Sequence, residues 1–210
     1  MSGSAPRADR GKSDFSSRLT ACLHPLETHV SELPVWGFCP AQAGRLRPAA
    51  VLIAVTDESR PRILLTKRAA HLSLHAGQVA FPGGAREPAD ASVLATALRE
   101  TREETGIAEQ SISPVGYLAR YDTISAYRMT AVVGLLDRDY RARPDHAEVE
   151  AIFSVPLEQV IDASRYTAER LRYEGRTFEV LTLEHPEHRI WGATAALLHE
   201  FGKACRSLSW

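Results

Sequence analysis

Cysteine is scarce in this 210-residue chain: Cys22, Cys39 and Cys205 lie far apart, with no C-x-x-C pair. That usage argues against a disulfide framework or a structural zinc site. No apolar run approaches the ~20 residues that a membrane-spanning helix requires. The N-terminus lacks the apolar stretch of a secretory signal, and Ser207-Leu208-Ser209-Trp210 is no obvious address. Charge of one sign is missing too. The formal net charge of −1 removes the basic surplus on which a mainly electrostatic nucleic-acid binder depends. There is no internal repeat. A reduced, cytoplasmic protein without membrane or nucleic-acid partners is the expectation.

What is present is ordinary for a globular protein: 44% hydrophobic and 24% charged residues, in a chain long enough for one domain with extensions. The first 13 residues are rich in Ser, Gly, Arg and Ala and read as disordered. Residues 15–29 can form an amphipathic helix with Phe15, Leu19, Cys22 and Leu23 on one side. Residues 34–47 read as a Pro- and Gly-punctuated connector. The apolar run 48–56 predicts a strand buried on both faces, with 62–67 as its partner across a turn. Further strands are expected at 78–81, 115–121, 127–136 and 149–155, with a short helix after Pro156. A hairpin is expected over 170–183 around Glu174-Gly175, and a closing helix over 191–201. Strands interleaved with helices predict an α/β fold, a mixed sheet flanked by helices.

The chemistry concentrates in residues 83–107. Glu100, Glu103 and Glu104 stand at i, i+3 and i+4 on a predicted helix over 91–105, so their side chains share a face. Like charges at that spacing weaken a helix. One reading is a solvated surface. The other is a cation site, because carboxylate oxygens suit Mg2+ or Mn2+. The flanks favour the second. Phe81-Pro82-Gly83-Gly84 supplies tight backbone before the helix, Asp90 or Ser92 can cap its start, and Gly106 can end it. Val93, Leu94, Ala97, Leu98 and Thr101 form the stripe expected to face the core.

This segment resembles the Nudix box, G-x5-E-x7-R-E-U-x-E-E-x-G-U, where U is aliphatic. Arg99, Glu100, Glu103, Glu104, Gly106 and Ile107 fall in register, and Thr101 stands where an aliphatic residue is usual. The upstream half departs: Gly84 leads after five residues to Asp90 instead of Glu, and eight residues precede Arg99. Upstream of the box, Leu64, Leu65, Thr66, Arg68, Ala69, Gly77, Phe81, Pro82, Gly83 and Gly84 resemble the signature of the coenzyme A pyrophosphatase branch. Ser73 replaces an Arg of that signature, and a hydroxyl cannot clamp a phosphate as a guanidinium does. Segments 131–134, 148–149, 153–157 and 191–195 extend the likeness over residues 47–201.

The resemblance implies a Nudix-type α/β/α sandwich over residues 47–205, with 1–46 as an N-terminal extension carrying a helix. It implies Mg2+- or Mn2+-dependent hydrolysis of a small-molecule nucleoside diphosphate such as coenzyme A (CoA). Glu100, Glu103 and Glu104 would hold the metal, with Arg99 pairing Glu103. The base would be Glu100 or an acid of 145–150, with Glu148 favoured by its place in the likeness. Arg68, Gly77 and Gly84 would meet substrate. Lys67 and His75 are weaker phosphate candidates, each more readily read as surface charge or local hydrogen bonder. Tyr121 and Tyr127 are candidates to stack on an adenine. Another dinucleotide, such as ADP-ribose or NADH, and a non-catalytic nucleotide-binding role are the alternatives.

Overall fold

The protein is described from a computed structural model over residues 14–37, 46–173 and 175–208. The N-terminal 13 residues, part of the expected connector and Glu174 of the expected hairpin turn lie outside the described residues. The organising strand is β2 (Arg47–Thr56), preceded by β1 (Val35–Gly37). Alternation along β2 buries Ala50, Leu52 and Ala54 on one face, and Val51, Ile53 and Val55 on the other. Both sets are covered, which explains why the strand reads as a continuous apolar run. Around it stand β3 (Arg62–Arg68), β4 (Val79–Ala80), β5 (Gly83–Ala85), β6 (Ile112–Asp122), β7 (Tyr127–Leu136) and β8 (Val149–Pro156).

These eight strands form a mixed sheet ordered β1-β6-β7-β2-β3-β4, with β5 pairing β2 and β8 pairing β3. β2 and β7 run parallel, as do β1 and β6; the remaining pairs are antiparallel. Strand β3 is only a partial partner of β2, meeting it in register at Val55↔Ile63, and its long ladder is with β8. The other end of that β2 edge is taken by β5, from Ala49↔Ala85 to Val51↔Gly83. The edge is therefore shared, and Gly83-Gly84 is inserted where β3 and β2 part. A second sheet, β9 (Tyr166–Tyr173), β10 (Arg176–Leu183) and β11 (Ile190–Trp191), contains the expected hairpin.

Helices cover both faces of the main sheet. On one, α2 (Val93–Thr105) packs Val93 and Ala97 against Ala50, Leu52, Leu64 and Val132. On the other lie α1 (Asp14–Ala21), α3 (Leu157–Ile161) and α4 (Gly192–Cys205), which contribute Leu19, Leu157, Val160, Leu197, Leu198 and Phe201 to a second core. The result is an α/β/α sandwich.

The N-terminal segment differs from expectation in two places. Helix α1 stops at Ala21 instead of running to residue 29. His24 makes reciprocal backbone bonds with Tyr117 (2.9 and 2.8 Å), and Pro25 has no N–H to continue a helix. Gly116 permits the approach, since a Cβ there would lie 2.7 Å from the His24 carbonyl oxygen. The expected connector contains β1, whose register with β6 runs from Val35↔Arg120 to Gly37↔Asp122.

Candidate active site

Helix α2 is pinned at both ends. The Ser92 hydroxyl accepts the Ala95 N–H at 3.1 Å, so Ser92 is the N-cap. Gly106 takes the left-handed conformation (φ 65°) and donates its N–H to the Arg102 carbonyl. Beyond it, the Asp145 and Arg143 N–H groups bond the carbonyls of Glu104 (3.0 Å) and Thr105 (2.7 Å). The segment carrying the other candidate acids is thus tied directly to the end of the helix. Thr101, standing at the aliphatic position, is fully buried with its hydroxyl donating to Ala97 O at 2.7 Å.

The three acids sit at graded depth: Glu103 is half exposed, Glu100 is 17% exposed at its side chain, and Glu104 is 4% exposed. Burial pushes the Glu104 carboxyl up to about 8, against a Gly83 N–H (3.2 Å) and the Arg68 guanidinium (3.6 Å) that favour its charged form. Burial also raises Glu100, with Arg99 opposing. The charge of Glu148 adds to the rise at both positions. The C-terminal end of a helix is itself unfavourable for anions. Gly84 lies against Glu100: a Cβ there would come within 2.5 Å of the carboxyl carbon. Only glycine leaves that carboxylate its place.

Arg99 organises the cluster. Its Nη1 donates to Glu100 and to Glu103, at 3.0 Å each, which realises the expected pairing with Glu103. Its stronger partner is Asp90, held bidentately by Nε (2.9 Å) and Nη2 (3.0 Å). Asp90 is buried and also accepts the Glu87 N–H and the Thr96 hydroxyl. The hydrogen bond from Arg99 is the main reason its carboxyl lies well below the usual range. Asp90 thus acts behind the acids, fixing the arginine that fixes them.

Around the cluster, Arg68 reaches Glu104 while its Nε is buried without a hydrogen-bond partner among the described residues. Gly77 turns the loop between β3 and β4 with φ 69°, in open space. Ser73 and His75 are exposed on that loop, and His75 Nδ1 pairs with Gln78 at 3.0 Å. Lys67 is engaged by Glu150 at 2.7 Å. The local readings of Lys67 and His75 therefore describe what the structure contains. Tyr121 is 5% exposed, packed edge-on to Trp36 (5.0 Å, 81°), burial pushes its hydroxyl up to about 12, and it lines a cavity away from the acids. Tyr127 lies beneath the Arg47 guanidinium at 4.2 Å. Cavities of 270 and 430 Å³ lie elsewhere, and none of the acids lines them.

Among the described residues no three acidic, His or Cys side chains converge into a ready-made metal cage. The reason is visible in the pairing, since Arg99 holds Glu100 and Glu103 while Gly83 and Arg68 hold Glu104. The donor set nevertheless fits a hard divalent cation. It is all carboxylate oxygen, two of its members are raised by burial and mutual repulsion, and Gly84 leaves one of them unobstructed.

A family model of the NUDIX domain matches residues 45–174. The chain belongs to the Nudix family. It is 40% identical over 191 residues to an uncharacterized Nudix hydrolase, NudL, of Photorhabdus laumondii, a match covering 91% of this chain and 96% of the relative. A NudL of Escherichia coli is 40% identical over 154 residues, covering 73% and 80%. Among solved structures the chain is similar to RenU, a Nudix hydrolase of M. smegmatis, at 22% identity, with TM-score 0.44 over 60% of this chain and 76% of that one. Nudix hydrolases act on pyrophosphate bonds and generally use divalent metal ions. The acids of this Nudix helix, its leading Gly-Gly and its Arg are brought together here. What the sequence did not reveal was the part played by Asp90 and by the Gly83 N–H. The only signal for Asp90 was an acid shortly before the helix, one residue out of the box's spacing.

Proposed function

We propose that this Nudix hydrolase cleaves the diphosphate of coenzyme A or its derivatives, giving 4′-phosphopantetheine and adenosine 3′,5′-bisphosphate. The observation that carries the reading is the Glu100–Glu104 pair set against Gly83-Gly84, within a segment from Leu64 to Gly84 that follows the coenzyme A signature. Glu100, Glu103 and Glu104 would hold Mg2+ or Mn2+. Such an ion polarises the diphosphate and acidifies a bound water. Arg99, fixed by Asp90, keeps Glu100 and Glu103 in place. Arg68 neutralises Glu104 and offers the exposed part of its guanidinium to a phosphate oxygen. Glu148 takes the proton of the attacking water, a role that needs only reach and a free carboxylate. Gly77 and Gly84 keep backbone close to the substrate without obstruction. The catalytic unit spans residues 47–205 with 1–46 as an extension, and the free Cys22 and Cys205 thiols fit a reducing cytoplasm.

Ser73 favours a second reading, hydrolysis of ADP-ribose or NADH, because it removes the guanidinium of the coenzyme A signature from this loop. Product analysis with Mg2+ or Mn2+ across CoA, 3′-dephospho-CoA, ADP-ribose and NADH separates the two. CoA preferred over dephospho-CoA is the expected result. Preference for ADP-ribose would overturn it in favour of the second reading, and no turnover at all would leave a nucleotide-binding protein.

A further inference from the structure

Glu148 sits on a turn whose two sides are held differently. On the inner side, the Asp145 N–H bonds Glu104 O at 3.0 Å, which joins the turn to the catalytic helix. Within it, the Asp145 carbonyl accepts the N–H groups of Glu148 (2.9 Å) and Val149 (2.7 Å), and Asp145 Oδ1 accepts the Ala147 N–H at 2.9 Å. On the outer side the turn is held by the loop between β3 and β4. Two residues of that loop act on two consecutive carbonyls: the Ala69 N–H on Glu148 O at 2.8 Å, and His71 Nε2 on Ala147 O at 3.1 Å. A carbonyl only accepts, so His71 carries its proton on Nε2 and donates. The loop is closed at its base, where the Arg68 N–H bonds Gln78 O (2.9 Å) and the Gly77 N–H bonds Arg68 O (3.2 Å). It therefore offers a firm frame to pull against.

We propose that His71 is a positioning residue: its side chain latches the β3–β4 loop onto the Glu148 turn and aims the Glu148 carboxylate at the Glu100–Glu104 pair. The inference rests on the assignment of Glu148 as the base of diphosphate hydrolysis. His71 is exposed, and its ring bonds the carbonyl next to Glu148 instead of an acid of the cluster. Backbone bonds hold the C-terminal end of the turn, through the Ala69 N–H and the β3–β8 ladder that begins at Arg68↔Val149. The His71 side chain adds a hold one residue earlier, on Ala147 O, so that Glu148 is bracketed on both sides. The same loop carries Arg68 at its start, so the latch also ties the phosphate-facing arginine to the base.

The test is a set of variants assayed with CoA and with ADP-ribose in Mg2+: His71→Ala, His71→Gln, Glu148→Gln and the double variant His71→Ala/Glu148→Gln. Displacement of a catalytic group by about 1 Å costs up to roughly 100-fold in rate. His71→Ala is therefore expected to lower kcat about 10-fold, with KM changed less than about twofold. His71→Gln, which keeps an N–H donor at similar reach, recovers most of that loss. In the Glu148→Gln background, His71→Ala produces no further fall. Melting curves of the single variants should match the parent, since the histidine is exposed. Unchanged kcat in His71→Ala, a loss of equal factor in both backgrounds, or a change confined to KM would overturn the latch while leaving the hydrolase assignment standing. Wild-type activity in Glu148→Gln would overturn it as well. A wild-type protein inactive on both substrates would overturn the proposed function and the latch with it.

Discussion

Glu104 is held against its own electrostatic preference. It is buried, lies in the last turn of a helix and feels the charges of Glu100 and Glu148, and its carboxyl is pushed from 4.5 to about 8. A folded-state value above the unfolded one means that the metal-free fold prefers the protonated acid. The contribution of Glu104 to stability is then fully present below about 4.5 and is lost as pH rises through about 8. In EDTA, the melting temperature of Glu104→Gln should exceed that of the wild type by a margin that widens from pH 5 to pH 8.5. Parallel pH profiles would show that Glu104 is not the strained group. At this scale the sequence was uneven. The i, i+3, i+4 spacing put three acids on one face, but spacing does not report depth, so the gradient from Glu103 to Glu104 was hidden. The burial of Tyr121 was hidden for the same reason, because its contact with Trp36 joins residues far apart in the chain.

Among the elements, α2 was the most legible, since its caps, its apolar stripe and its terminating glycine are all local signals. The stripe continues past Thr101 into Glu104 and Thr105, which are also buried, and so Glu104 belongs to the packed side of the helix. Strands β1 and β5 escaped notice because three residues carry no readable period and their pairing is decided by distant partners. The support of α2 by Asp90 is a tertiary device, a bidentate clamp on Arg99 nine residues along. Its removal frees the guanidinium to pair more fully with Glu100 and Glu103 and to compete with a cation for them. Asp90→Ala is expected to weaken Mn2+ binding, measured by calorimetry, by about 10-fold, the scale seen when groups that orient ligands are lost. Undiminished affinity would remove Asp90 from the account of the site.

At the scale of the whole molecule, the family-matched region does not contain all of the core. Leu19 and Leu33 from the N-terminal segment are fully buried or nearly so, Phe15 is 9% exposed, and β1 covers the β6 edge. Each such apolar side chain contributes about 1.5–3 kcal/mol when buried. Deleting residues 1–37 should lower the free energy of unfolding by several kcal/mol, read by urea denaturation. An unchanged midpoint would show that the segment is dispensable for the fold. A mixed sheet flanked by helices was legible from the order of strands and helices, and the α/β/α layering from the resemblance to Nudix proteins. The sharing of the β2 edge between β3 and β5 was not, and that division is what inserts Gly83-Gly84 beside the acids.

The central claim is that the α2 carboxylates hold a divalent cation for diphosphate hydrolysis. Its most direct test is CoA turnover as a function of Mg2+ concentration in the wild type and in Glu104→Gln. The account predicts saturable, EDTA-abolished hydrolysis by the wild type, and a loss of about 100-fold or more in kcat for a variant that still folds. Turnover independent of Mg2+, or retained by Glu104→Gln, would contradict it.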